Sequence, residues 1–84
     1  MSYEVIVERK ARKALARLPS AAYERTMQAV NSPAEDPRPR QSRSLEGRSG
    51  RRLRVGDYRV IYEVDDDLQE VYVAEVWHRQ RDYR

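Results

Sequence analysis

Eighty-four residues carrying a formal net charge of +3 describe one small domain with a thin core, since a chain this short hides only roughly 60% of its unfolded-state surface. The absence of cysteine excludes disulfide staples and thiolate metal sites, and a single histidine cannot build a zinc centre, so neither metal nor other cofactor is expected. No apolar run approaches the roughly 20 residues of a membrane span, and the opening stretch carries charge where a signal peptide needs apolar residues, so the expected setting is the cytoplasm, away from membranes.

Tyr3, Val5 and Val7 alternate with Glu4, Ile6 and Glu8, the period-2 pattern of a strand. From Arg9 the period changes. Ala11, Ala14, Leu15 and Leu18 follow the spacing of one helix face, while Arg9, Lys10, Arg12, Lys13 and Arg17 fill the others and read as a solvated surface. Leu18-Pro19 breaks this helix, because proline disfavours helix in the residue before it and suits the first turn of the next. A second helix is predicted from about Pro19 to Asn31, burying Tyr23, Met27 and Val30 with Ala22 and Thr26 alongside, and ending at Ser32-Pro33. Residues 31–49, with Pro33, Pro37 and Pro39, read as a long surface connection. Three strands then follow over about 51–55, 58–64 and 70–77, separated by Gly56-Asp57 and Asp65-Asp66-Asp67, a spacing that asks for tight antiparallel hairpins. The acidic triple is read as a turn rather than a metal site, since no other carboxylates converge on it in sequence. The predicted architecture is α+β, ordered β-α-α-β-β-β, with a helical hairpin on one face of a mostly antiparallel four-stranded sheet, in a single domain over residues 1–84.

Eight of the fifteen arginines lie between Arg38 and Arg59, opposed only by Glu46 and Asp57, so this window carries +6 and the rest of the chain is acidic on balance. A local field of planar, permanently charged guanidinium groups suits polyphosphate, which makes nucleic acid the leading partner class. Strand alternation sorts the side chains. Tyr58, Val60, Tyr62 and Val64 are expected to meet the helices, with Leu53 and Val55 beside them, sending Arg59, Arg52 and Arg54 to the opposite, open face. On the last strand the same rule turns Tyr72, Ala74 and Val76 inward and Val71, Val73, Glu75, Trp77 and Arg79 outward, and directs His78 towards the helices.

The element order, the Leu18-Pro19 break, the segment Ser44-Leu45-Glu46-Gly47, the strand Gly56-Asp57-Tyr58-Arg59-Val60-Ile61-Tyr62 and the ending His78-Arg79-Gln80-Arg81-Asp82-Tyr83-Arg84 together resemble the RelE/ParE toxin superfamily of type II toxin–antitoxin modules, across essentially the whole chain. The resemblance, closest to the RelE-like branch, implies a toxin that cuts mRNA in the ribosomal A site without metal, by in-line attack of a ribose 2′-hydroxyl on the adjacent phosphate. Its implied partners are the ribosome, mRNA and a cognate antitoxin protein, in a toxin–antitoxin hetero-oligomer. By position in the motif, Arg59 matches a phosphate-contacting arginine, Arg79 the arginine after the last strand, and Tyr83 a tyrosine that stacks on or activates substrate. Arg51, Arg52, Arg54, Trp77 and Arg81 are the expected RNA contacts. Some relatives place lysine where this chain has only arginine on the strand before the turn. Arginine can stabilise charge but cannot serve as a general base, so proton transfer is expected from Tyr83 or, second, from His78. A ParE-like inhibitor of DNA gyrase and a catalytically weak, antitoxin-binding homologue are the alternatives the same fold allows.

Overall fold

The computed structural model describes residues 2–78. In chain order the elements are β1 (Glu4–Val7), α1 (Arg9–Ala16), α2 (Ser20–Asn31), a 3-10 turn at Ser32–Ala34, β2 (Ser42–Ser44), β3 (Arg51–Val55), β4 (Tyr58–Asp65) and β5 (Glu70–His78). One mixed sheet runs β1-β5-β4-β3-β2, with β1 parallel to β5 and every other pairing antiparallel. The α+β class and the helical hairpin agree with expectation, but the sheet has five strands rather than four. The extra strand is β2, three residues inside the proline-containing connection that pair with Leu53, Arg52 and Arg51. Ser-Arg-Ser carries no apolar alternation, so its extended form comes from the edge that β3 presents and not from any local preference.

The helices cover one face of the sheet. Ala11 and Leu15 bury the stripe of α1, Ala11 meeting a cluster of Val30, Leu53, Val55, Val60, Tyr62, Val71 and Val73. In α2 the buried residues are Thr26 and Val30, whereas Tyr23, expected inside, is 42% exposed. The stripe Ala22, Thr26, Ala29 and Val30 follows the same 3.6-residue period one position away from Tyr23, and small side chains let the helix lie close to the sheet.

The sharper correction concerns β5. Ile61 pairs with Glu75 but Tyr62 pairs with Val73, so Ala74 is an extra residue and the strand bulges there. One inserted residue reverses alternation on the far side. Val76 and His78 keep their expected place towards the helices, opposite Val60 and Tyr58, while Val71 and Val73, expected on the open face, are fully buried beneath the helices. Tyr72, expected inward, lies opposite Glu63 on the open face. The bulge lets one strand bury valines against α1 at one end and present Glu75 and Trp77 to the other side of the sheet at the other.

Two glycines are needed for the backbone. Gly56 turns β3 into β4 at φ +57, a left-handed conformation that side chains disfavour. At Gly50 a Cβ would stand 3.1 Å from the Tyr62 carbonyl oxygen, against the main chain of β4. The long connection is held down at two adjacent residues: the Tyr62 hydroxyl donates to the Pro37 carbonyl at 2.8 Å, and Arg38 clasps Asp66 in the β4–β5 turn through two hydrogen bonds, to an aspartate that also accepts from the Tyr3 hydroxyl at 2.7 Å. The acidic triple thus leads into a turn, with Asp65 accepting from the Leu68 amide at 3.0 Å and Asp66 bonded to Arg38 and Tyr3.

Candidate nucleic-acid interface

Cross-strand register lays the open face out in rows. The first runs Arg54, Arg59, Trp77 across β3, β4 and β5, and the second Arg43, Arg52, Ile61, Glu75 across β2 to β5. Arg43 is opposite Arg52 and Arg54 is opposite Arg59, so two arginine pairs stand directly across from each other on one surface. Like charges in that position destabilise a sheet. A polyanion bound along the rows would convert the repulsion into attraction, and planar guanidinium groups can meet phosphate oxygens two at a time.

Arg52, Arg54, Arg59 and Trp77 therefore come together as the alternation rule requires. Arg59 differs from expectation in one respect: it is only 7% exposed, sunk between Arg54 and Trp77, while Arg54 and Arg43 are exposed. Trp77 is half-buried, and Lys10 from the first turn of α1 places its Nζ 5.5 Å from the ring centroid. That contact is possible because β1 stops opposite Val73, where the Glu8 amide donates to the Val73 carbonyl at 2.9 Å and the chain turns into α1. The indole keeps one surface for a cation.

Two expected site residues are elsewhere. Arg51 lies opposite Tyr62 on the helix side, its guanidinium donating to the hydroxyls of Ser42 at 3.0 Å and Ser44 at 3.1 Å, so it braces β2 instead of joining the basic rows. His78 stacks edge-on against Tyr58, ring centroids 5.0 Å apart, in a cleft with Ala14, Leu18 and Pro19, on the opposite face from Arg59. Arg79, Arg81 and Tyr83 lie outside the described residues.

Sequence reasoning did not single out Arg43, Arg48 or Lys10, and it treated Glu75 only as an outward residue. Arg48, in the β2–β3 connection, reaches across the face to Glu75 at 3.4 Å, and Glu75 also accepts a hydrogen bond from the Trp77 indole. Glu63, an open-face carboxylate on β4, accepts from the Ser49 hydroxyl at 3.3 Å, one row further from Arg59 than Glu75. Tyr72 donates to Glu70, which pushes its phenol up to about 12 and removes it as a proton acceptor near neutrality. Arg43 lies in a segment with no apolar alternation, so nothing local marked it as a strand residue. The Arg48 and Glu75 contact, spanning 27 residues, had no local signal.

The fold recurs in solved toxin structures. The chain is similar to RelE in the archaeal RelE–RelB complex of Pyrococcus horikoshii, with 31% identity and a TM-score of 0.81 over 96% of this chain and 99% of that one. It also resembles a chain of the toxin–antitoxin complex RelBE2 of Mycobacterium tuberculosis (27% identity, TM-score 0.82, 94% of this chain and 100% of that). A third likeness is to the intact Escherichia coli RelBE complex (26% identity, TM-score 0.76, 95% and 100%). No curated protein matches the chain. The family model for the ParE toxin of type II toxin–antitoxin systems matches residues 5–83, and the chain belongs to that family, within the RelE/ParE toxin superfamily.

Proposed function

We propose that this toxin is a ribosome-dependent mRNA endoribonuclease that blocks translation. The observation that carries the reading is the pair of directly opposed arginines, Arg43 with Arg52 and Arg54 with Arg59, beside Trp77. In-line cleavage by a 2′-hydroxyl needs positive charge around a phosphorane-like transition state and a surface that holds bases splayed, and these residue types supply both. Arg59, with Arg79 one residue past β5, stabilises the phosphate; Tyr83 stacks on or exchanges a proton with substrate; Arg52, Arg54, Trp77 and Arg81 hold the strand. An open surface does little to order a flexible RNA, and the ribosomal A site provides that order, so free RNA is a poor substrate. In the cell the toxin is held by a cognate antitoxin in a hetero-oligomer, a reading supported by relatives solved as RelE–RelB complexes.

The name of the matching family model favours a second reading, a ParE-like inhibitor of DNA gyrase, which would use the same basic face on DNA or on the topoisomerase. One experiment separates them. Purified protein added to ribosomes programmed with mRNA is expected to cut in the A site and leave 2′,3′-cyclic or 3′-phosphate ends, the products of attack by the ribose 2′-hydroxyl without a metal-bound nucleophile. Uncut message together with stalled gyrase supercoiling overturns the nuclease reading in favour of the gyrase one.

A further inference from the structure

Among the described residues, the arginines of the basic face can stabilise charge but cannot accept a proton. His78 is on the other side of the sheet, and the Tyr72 phenol is committed to Glu70. Glu75 stands in the right place. It completes the row that begins Arg43 and Arg52, and it is the diagonal neighbour of Arg59 across the β4–β5 pairing, next to Trp77 along the face. Its side chain keeps 17% of its surface open.

Resting on the nuclease reading, we propose that Glu75 is the general base that takes the 2′-hydroxyl proton. Its two oxygens are held differently. The Trp77 indole donates to Oε1 from within β5, two residues along the same strand. Arg48 meets Oε2 at a long 3.4 Å from a connection where its own side chain is 53% exposed. A substrate phosphate offers Arg48 a stronger, bidentate partner, so binding of RNA draws Arg48 off Oε2 and frees that oxygen, still oriented by Trp77, towards the sugar. The carboxylate then takes the proton as the 2′-oxygen forms its bond to phosphorus. The bond from phosphorus to the 5′-oxygen breaks with its electron pair on oxygen, which takes a proton from solvent water, and Glu75 returns its proton to the hydroxide so formed. The products are a 2′,3′-cyclic phosphate and a 5′-hydroxyl, with Arg59 and Arg54 holding the charge that builds on the phosphate. Glu63 lacks this arrangement, being two rows away from Arg59, where Glu75 is one, and tied to a serine.

The test compares single-turnover cleavage of A-site mRNA on programmed ribosomes with binding to ribosomes whose mRNA carries a 2′-deoxynucleotide at the scissile position. Wild-type protein is measured first, and failure to cut there removes the nuclease reading itself. Given wild-type cutting, Glu75→Gln keeps an acceptor for the Trp77 indole and is expected to slow cleavage by about 100-fold or more while binding the 2′-deoxy complex within about twofold of wild type. Glu63→Gln is expected to cut normally. Trp77→Phe, which deletes the indole N–H and keeps a ring, is expected to lose less than Glu75→Gln. Cleavage by Glu75→Gln at the wild-type rate overturns the proposal, as does a loss matched by equal loss of binding, or a Trp77→Phe defect as large as that of Glu75→Gln, since Glu75 would then act only through its neighbours.

Discussion

Arg59 and Arg54 face each other across β3 and β4, yet their substitutions should behave differently because one is sunk and the other exposed. Arg54→Ala removes charge from a solvated position, so cleavage should fall by roughly tenfold or more with stability changed by less than about 0.5 kcal/mol. Arg59→Ala also removes packed side-chain stem, and should lower both the rate, by about 100-fold, and the midpoint of thermal unfolding. Circular dichroism melts beside single-turnover cleavage check the pair. A melt for Arg59→Ala equal to wild type would mean that its burial contributes nothing. Alternation in the sequence was sufficient to put both arginines on one face, because period-2 patterning follows from backbone geometry alone. It could not show that Arg59 is buried, nor that Arg48 reaches Glu75, since both depend on what a distant segment lays over the strand.

At the level of elements, the helices and the strands β3, β4 and β5 were legible almost to the residue, because Leu18-Pro19, Gly56-Asp57 and the acidic turn punctuate strongly periodic runs. Two features were not. β2 is recruited by pairing, and the bulge at Ala74 has no local marker: no glycine or proline stands there, and Val71 to Val76 reads as uninterrupted alternation. The bulge is decided by the demand that Val71 and Val73 reach the core while Glu75 and Trp77 do not. It has a measurable consequence. With Val73 fully buried, Val73→Ala should cost about 2 kcal/mol in urea unfolding, two methyl groups plus a small cavity, whereas on the open face it would cost within about 0.5 kcal/mol.

Across the whole molecule, Tyr3, Arg38 and Asp66 tie together the first strand, the long connection and the β4–β5 turn. The Arg38 guanidinium, followed by the Tyr3 hydroxyl, holds the Asp66 carboxyl below its ordinary range. A carboxyl lowered on folding contributes stability that is fully present above its unfolded value and is lost as pH falls through the lowered folded one. Asp66→Asn should therefore unfold slightly earlier than wild type at neutral pH, with the difference vanishing in acid; a difference that persists or grows below the carboxylate range would contradict the clasp. The clasp sits where the chain's extremes already meet, since Glu4 pairs with Glu70 and β5 is inserted between β1 and β4. Biosynthesis runs from the other direction. While β5 is still being made, β1 with its helices and the β2-β3-β4 ribbon have no common sheet, and neither Glu75 nor Trp77 has arrived beside Arg59. Translated after the other described strands, β5 is thus the keystone of both fold and basic face, and a nascent chain carries the arginines of β2, β3 and β4 before it has the surface that they form together.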